Sequence, residues 1–168
     1  MLSIGACTIY EPRMTFYIEL KPVNQNFTAE AVSIHKLSLE HLTEDGVYPK
    51  QAMVSFEEWI MNEATPNHQP LFVAFNAGFD WMFVNYYFYH FLGRNPFGHA
   101  AIDIKAFYMG MAGVPWSQTS WRFISPKYMP EYHLTHHALQ DALDQADIFK
   151  KMLEEIQINS KIKGDLQK

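Results

Sequence analysis

Leu71-Phe72-Val73-Ala74-Phe75-Asn76-Ala77-Gly78-Phe79-Asp80 is the stretch that decides the fold. Its first five residues are a continuous apolar run of strand length, the pattern of a strand covered on both faces. A Gly-containing turn over residues 76–78 then leads into a long aromatic segment, expected as a helix over 79–92. A buried strand that turns into a helix is the unit of an α/β sheet, and open sheets of this kind place ligands beyond the carboxyl ends of their strands. Asp80 falls at that place. Taken alone it has a second account, that of a helix-start carboxylate answering the helix dipole with no further role.

Working outward, residues 100–104 (Ala-Ala-Ile-Asp-Ile) repeat the buried-strand pattern, with a helix expected over 105–112. Upstream, residues 2–10 and 15–20 flank Glu11-Pro12-Arg13-Met14 and predict a β-hairpin with Phe16, Ile18 and Leu20 on one face. Residues 29–35 suggest a short helix, and Leu37, Leu39 and Leu42 a second helical turn. Over 50–63, Ala52, Met53, Phe56, Trp59 and Ile60 recur at offsets of three and four, an amphipathic helix ended by Pro66. Residues 113–132 hold three prolines and no period, so a loop is expected there. Residues 136–158 carry Ala138, Leu139, Ala142, Leu143, Ala146, Ile148, Phe149 and Leu153, the longest helix, ahead of a polar tail at 159–168. The order predicts one α/β domain over 1–158, a sheet layered with helices.

Composition narrows the function classes. With 168 residues, 48% hydrophobic and 18% charged, the chain has the makings of a packed core and none of the signature of disorder. Thirteen Lys and Arg against eighteen Asp and Glu give a net charge of −5, which excludes a polybasic coat for nucleic acid but not an enzyme that gathers carboxylates at a metal site. The longest apolar run is far short of a bilayer span, so no membrane partner is expected. A single cysteine, Cys7, makes no internal disulfide and points to a reducing, cytoplasmic setting.

A second cluster lies at His133-Leu134-Thr135-His136-His137-Ala138-Leu139-Gln140-Asp141-Ala142. Its three imidazoles and one acid invite a zinc reading, but the thiolates and spacings of zinc sites are absent. At about 100° per residue His137 shares a helix face with Asp141, whereas His136 lies about 140° away and converges with it only from the very start of a helix. Thr135 as N-cap would give His136 that position.

Together, Asn76-Ala77-Gly78-Phe79-Asp80 and His136-His137-Ala138-Leu139-Gln140-Asp141-Ala142 resemble the second and third motifs of the DEDDh (DnaQ-like) 3′-to-5′ exonucleases. Ser3-Ile4-Gly5-Ala6 is similar to the strand that follows the family's first motif, so the resemblance covers nearly the whole chain. It implies a ribonuclease-H-like mixed sheet flanked by helices, and hydrolysis of single-stranded DNA or RNA from the 3′ end with release of nucleoside 5′-monophosphates. It also implies that His136 is the general base, that Asp80 and Asp141 bind two divalent ions (Mg²⁺ or Mn²⁺), and that Asn76 and Phe79 shape the substrate pocket.

One departure is plain: the family's first motif, an Asp-x-Glu pair on a central strand, has no counterpart, since no acid precedes Glu11. The expectation is an upstream extension on the order of 15 to 20 residues carrying that strand, and, without it, weak metal binding and impaired activity. The rival expectation is a non-catalytic relative that binds nucleic-acid ends or another protein. Arg94, Lys105, Arg122 and Lys127 stand as candidate contacts for a phosphate backbone, and Trp116, Trp121 and Tyr128 as a homodimer face or a stacking platform.

Overall fold

The computed structural model describes residues 1–24, 26, 37–130 and 137–165, with side chains as far as Ile158. The hairpin forms as expected: β1 (Ser3–Cys7) pairs antiparallel with β2 (Thr15–Glu19), Ile4 opposite Ile18 and Ala6 opposite Phe16. Helix α1 (Leu39–Asp45) is capped by the Ser38 side chain, which accepts from His41 N. Helix α2 (Pro49–Glu63) starts on a proline, whose missing N–H costs nothing in a first turn, and buries Ala52, Met53, Phe56 and Ile60. The short helix expected at 29–35 lies outside the described residues.

Strand β3 (Phe72–Ala74) feeds helix α3 (Ala77–Leu92), and strand β4 (Ala101–Asp103), parallel to β3, feeds helix α4 (Ile104–Ala112). The expected loop at 113–132 instead contains a 3-10 turn at Trp116–Gln118 and helix α5 (Trp121–Tyr128). Pro126 inside α5 hides it from the sequence pattern: proline removes one helical N–H, and the helix survives because Ile124, Ser125 and Tyr128 are buried. That helix also dismantles the expected aromatic face. Trp121 packs edge-on against Phe75, and Tyr128 is only 7% exposed, so of the three aromatics Trp116 alone stands in the open. The last helix, α6 (Ala138–Asp165), starts two residues later than the periodicity suggests and runs on through most of the expected polar tail.

The strands do not form one continuous mixed sheet. They make two two-stranded sheets, β1–β2 and β3–β4, with no ladder between them among the described residues. Both pairs nevertheless lie between the same helix layers. On one side Ile4, Ala6, Phe16, Ile18 and Phe72 pack with Met53 and Phe56 of α2 and Val84, Tyr87 and Phe88 of α3. On the other, Val73, Phe75 and Ile102 pack with Ile104 of α4, Ile124 of α5 and Ile148, Phe149 and Met152 of α6. Phe88, fully buried, stacks on Phe56 with ring centroids 5.7 Å apart, and such a side chain contributes about 2–3 kcal/mol by leaving water. Among the described residues no helix is long and apolar enough to cross a membrane.

Candidate active site

Two strand-to-helix corners and the start of α6 build the site. At the β3–α3 corner Asn76 holds φ 62°, ψ 47°, a left-handed conformation that Asn tolerates better than most residues. The positive φ of the corner falls on Asn76, and Gly78 lies inside the first turn of α3. This brings Phe79 and Asp80 directly to the carboxyl end of β3. Phe79 is 60% exposed and rests edge-on against Phe83, with centroids 5.2 Å apart. The Asn76 side chain caps no helical N–H, and its Oδ1 accepts from Lys105 Nζ at 3.4 Å.

At the β4–α4 corner the helix is capped by Asp103, whose Oδ1 accepts from Lys105 N at 2.8 Å and Ala106 N at 3.1 Å. Sequence reasoning misses Asp103 because it ends an apolar strand. An acid within two residues of a predicted helix start is an N-cap signature and is the signal that could single it out.

The third contributor depends on close approach of backbone to backbone. A Cβ on Gly5 of β1 would collide with the Ala138 and Leu139 backbone, so only glycine lets the first turn of α6 lie on the hairpin. Cys7 Sγ reaches Ala142 O at 3.5 Å, and Phe75 N donates to Gln145 Oε1 at 2.8 Å, tying α6 to both sheets. Asp141 follows in the first turn of α6. His137, which bare helical geometry favours as its partner, stacks on Tyr17 with centroids 4.7 Å apart. His133, Thr135 and His136 lie outside the described residues.

Asp80 feels both of the other acids. Its pKa is pushed up to about 6, chiefly because protein crowds the carboxyl and strips away water; its own backbone N–H works against the rise, and the charges of Asp103 and Asp141 add to it. Asp80 as a residue retains solvent contact, so it is reachable as well as perturbed. A carboxylate whose main role was to answer a helix dipole would be held down, not raised. Asp144 is a further acid that sequence reasoning misses: it is 4% exposed, accepts from Gln140 Nε2 at 2.9 Å, and has no hydrogen-bond partner for Oδ2 among the described residues. Nothing in its local sequence marks it as buried.

Carboxylate oxygens are the donors that hard divalent cations take, and Asp80, Asp103 and Asp141 supply them in kind. In number they fall short: among the described residues no group of three or more His, Cys, Asp or Glu side chains is placed to hold an ion.

No family model matches the chain. A 3′-5′ DNA exonuclease of Escherichia coli, Cap18, is 46% identical over 150 residues, a match spanning 89% of this chain and 80% of that protein. Among solved structures, a 3′-exonuclease from work on 3′-end-specific recognition of a histone mRNA stem-loop superposes with a TM-score of 0.72 at 17% identity, covering 92% of this chain and 72% of the other. The nuclease domain of 3′hExo, a DEDDh family member, bound to rAMP superposes with a TM-score of 0.68 at 20% identity, covering 84% and 72%. These two likenesses are of fold, whereas the identity to the Escherichia coli enzyme is one of family. On that identity and that shared fold, the chain belongs to the DEDDh 3′-to-5′ exonuclease family.

Proposed function

We propose that this domain is a metal-dependent exonuclease that removes nucleoside 5′-monophosphates one at a time from single-stranded 3′ ends. The observation that supports this reading is electrostatic: Asp103 at the head of α4 and Asp141 on α6 both add to the raised pKa of Asp80 on α3. DNA is the first substrate to test, since the relative at 46% identity is a DNA exonuclease. RNA is the second.

In the reaction, water attacks phosphorus at the terminal phosphodiester, the bond to the 3′ oxygen breaks, and that oxygen leaves as the hydroxyl of the new end. His136 would accept the proton of the attacking water, a role suited to an imidazole near neutral pH. Asp80 and Asp141 would be the carboxylates offered to two divalent ions, Mg²⁺ or Mn²⁺, which when bound supply an activated water and offset charge on the leaving oxygen. Asn76 and the exposed Phe79 would hold the terminal nucleotide, Phe79 by ring contact with base or sugar.

The family's remaining acid pair belongs on a strand that these residues do not supply. Among the described residues β1 and β3 each pair on one edge only, which leaves each an edge that a further strand could satisfy. A 5′-labelled single strand, DNA or RNA, incubated with Mn²⁺ or Mg²⁺ tests the reading on this chain and on a version extended upstream in frame. Stepwise shortening from the 3′ end that disappears in Asp141→Asn supports it. An intact strand with both proteins and both metals overturns it, in favour of a non-catalytic module that binds nucleic-acid ends or a protein.

A further inference from the structure

We propose that Trp116 and Lys105 form a subsite for the single strand bordering the cleaved end, the indole stacking a base and the ammonium contacting a phosphate; this rests on the exonuclease reading and specifies where its substrate is held. The structure sorts the cations and aromatics that the sequence leaves equivalent. Arg94 is committed to Glu57 through two hydrogen bonds of 2.7 and 2.6 Å. Lys127 is committed to Glu155, and Arg122 lies over the ring of its own neighbour Phe123. Trp121 and Tyr128 are turned inward. Lys105 and Trp116 remain, and they touch: Lys105 Nζ stands 4.3 Å from the centroid of the Trp116 ring, which is 51% exposed.

Their placement ties them to the acids. Lys105 is the second residue of α4, its backbone N–H held by Asp103, and its ammonium reaches the Asn76 side chain four residues before Asp80. Trp116 is held firmly for an exposed aromatic. Its carbonyl accepts from both the backbone N–H and the hydroxyl of Thr119, a residue with no exposed surface. An open indole on a backbone anchored by a buried hydroxyl, with a cation over the ring, presents the two surfaces a nucleotide offers partners for, a π-face for the base and positive charge for the phosphate. Stacking takes any base, so the subsite fits an enzyme that must step along a strand regardless of sequence.

The test is binding of a 5′-fluorescein single strand of about ten nucleotides, followed by anisotropy in EDTA so that no cleavage is needed, together with KM and kcat for degradation. Trp116→Ala is expected to weaken binding about tenfold, with the loss appearing in KM, and Trp116→Phe to restore most of it. Lys105→Ala is expected to weaken binding and to flatten the dependence of log Kd on log salt by about 0.7, one phosphate contact on a single strand. Unfolding midpoints of each variant separate lost contact from lost fold. If the parent protein degrades the strand and both alanine variants retain its Kd and KM, the subsite is wrong while the exonuclease reading stands. If the parent neither binds nor degrades any strand, the exonuclease reading falls and takes the subsite with it.

Discussion

The two corners where a strand turns into a helix are built from similar sequence and put their acids to opposite uses. At β4–α4, Asp103 sits directly before the helix and commits Oδ1 to two backbone N–H groups. At β3–α3, the position before the helix goes to Asn76 in a left-handed conformation, and the acid arrives four residues later, where no cap needs it. The first acid satisfies the backbone. The second is left at the carboxyl end of the strand with a raised pKa, two other acids acting on it, and access to solvent. A shift of a few positions along a helix start thus separates a carboxylate that stabilises the fold from one available for chemistry.

The largest expected effect tests that division directly. Asp80→Asn should lower single-turnover degradation of a labelled strand by about 10³-fold, roughly 4 kcal/mol of transition-state stabilisation, with no loss in the urea midpoint. A variant that cleaves normally and unfolds early would make the two corners alike. Next in size, Gly5→Val drives a side chain into the backbone of α6 and should cost about 3 kcal/mol in urea unfolding; an unchanged midpoint would mean that α6 is not seated on the hairpin. Asp103→Ala removes the cap and should cost about 1 kcal/mol, with Asp103→Ser recovering most of it. Cleavage should survive this change far better than Asp80→Asn, which the same degradation assay reads.

A further effect is the dependence of stability on pH. Asp80 has a folded-state pKa of about 6, above its ordinary 3.8, so the folded protein holds this proton more tightly than the unfolded chain does. Its contribution to stability is fully present below 3.8 and is lost as pH rises through about 6. In EDTA, the difference in unfolding midpoint between the parent protein and Asp80→Asn should move across that window in favour of the variant. A difference that is flat from pH 4 to 7 would remove the crowding inferred around this carboxyl.

Elements with a strong period are legible in the sequence. Helix α2 falls within a residue of its expected start, and the hairpin pairs in the register its alternating side chains imply. Elements held by contacts from distant parts of the chain are not. Helix α5 contains a proline and owes its existence to burial against α6, which no window of eight residues reveals. The expectation of a single mixed sheet fails for a similar reason: strand pattern indicates which segments are extended, but a ladder forms only where a neighbour occupies the next position.

Asp80, Asp141, Asn76 and Phe79 become candidates in the sequence through the resemblance of two short motifs to those of the DEDDh exonucleases, a likeness that is local along the chain. The tertiary structure alone decided that Asp103 joins the electrostatics of Asp80, that Asp144 is buried, and that Lys105 stands over the ring of Trp116, the one exposed aromatic of the three. Those outcomes depend on desolvation and on partners far apart in the chain, and neither is written in the spacing of the residues themselves.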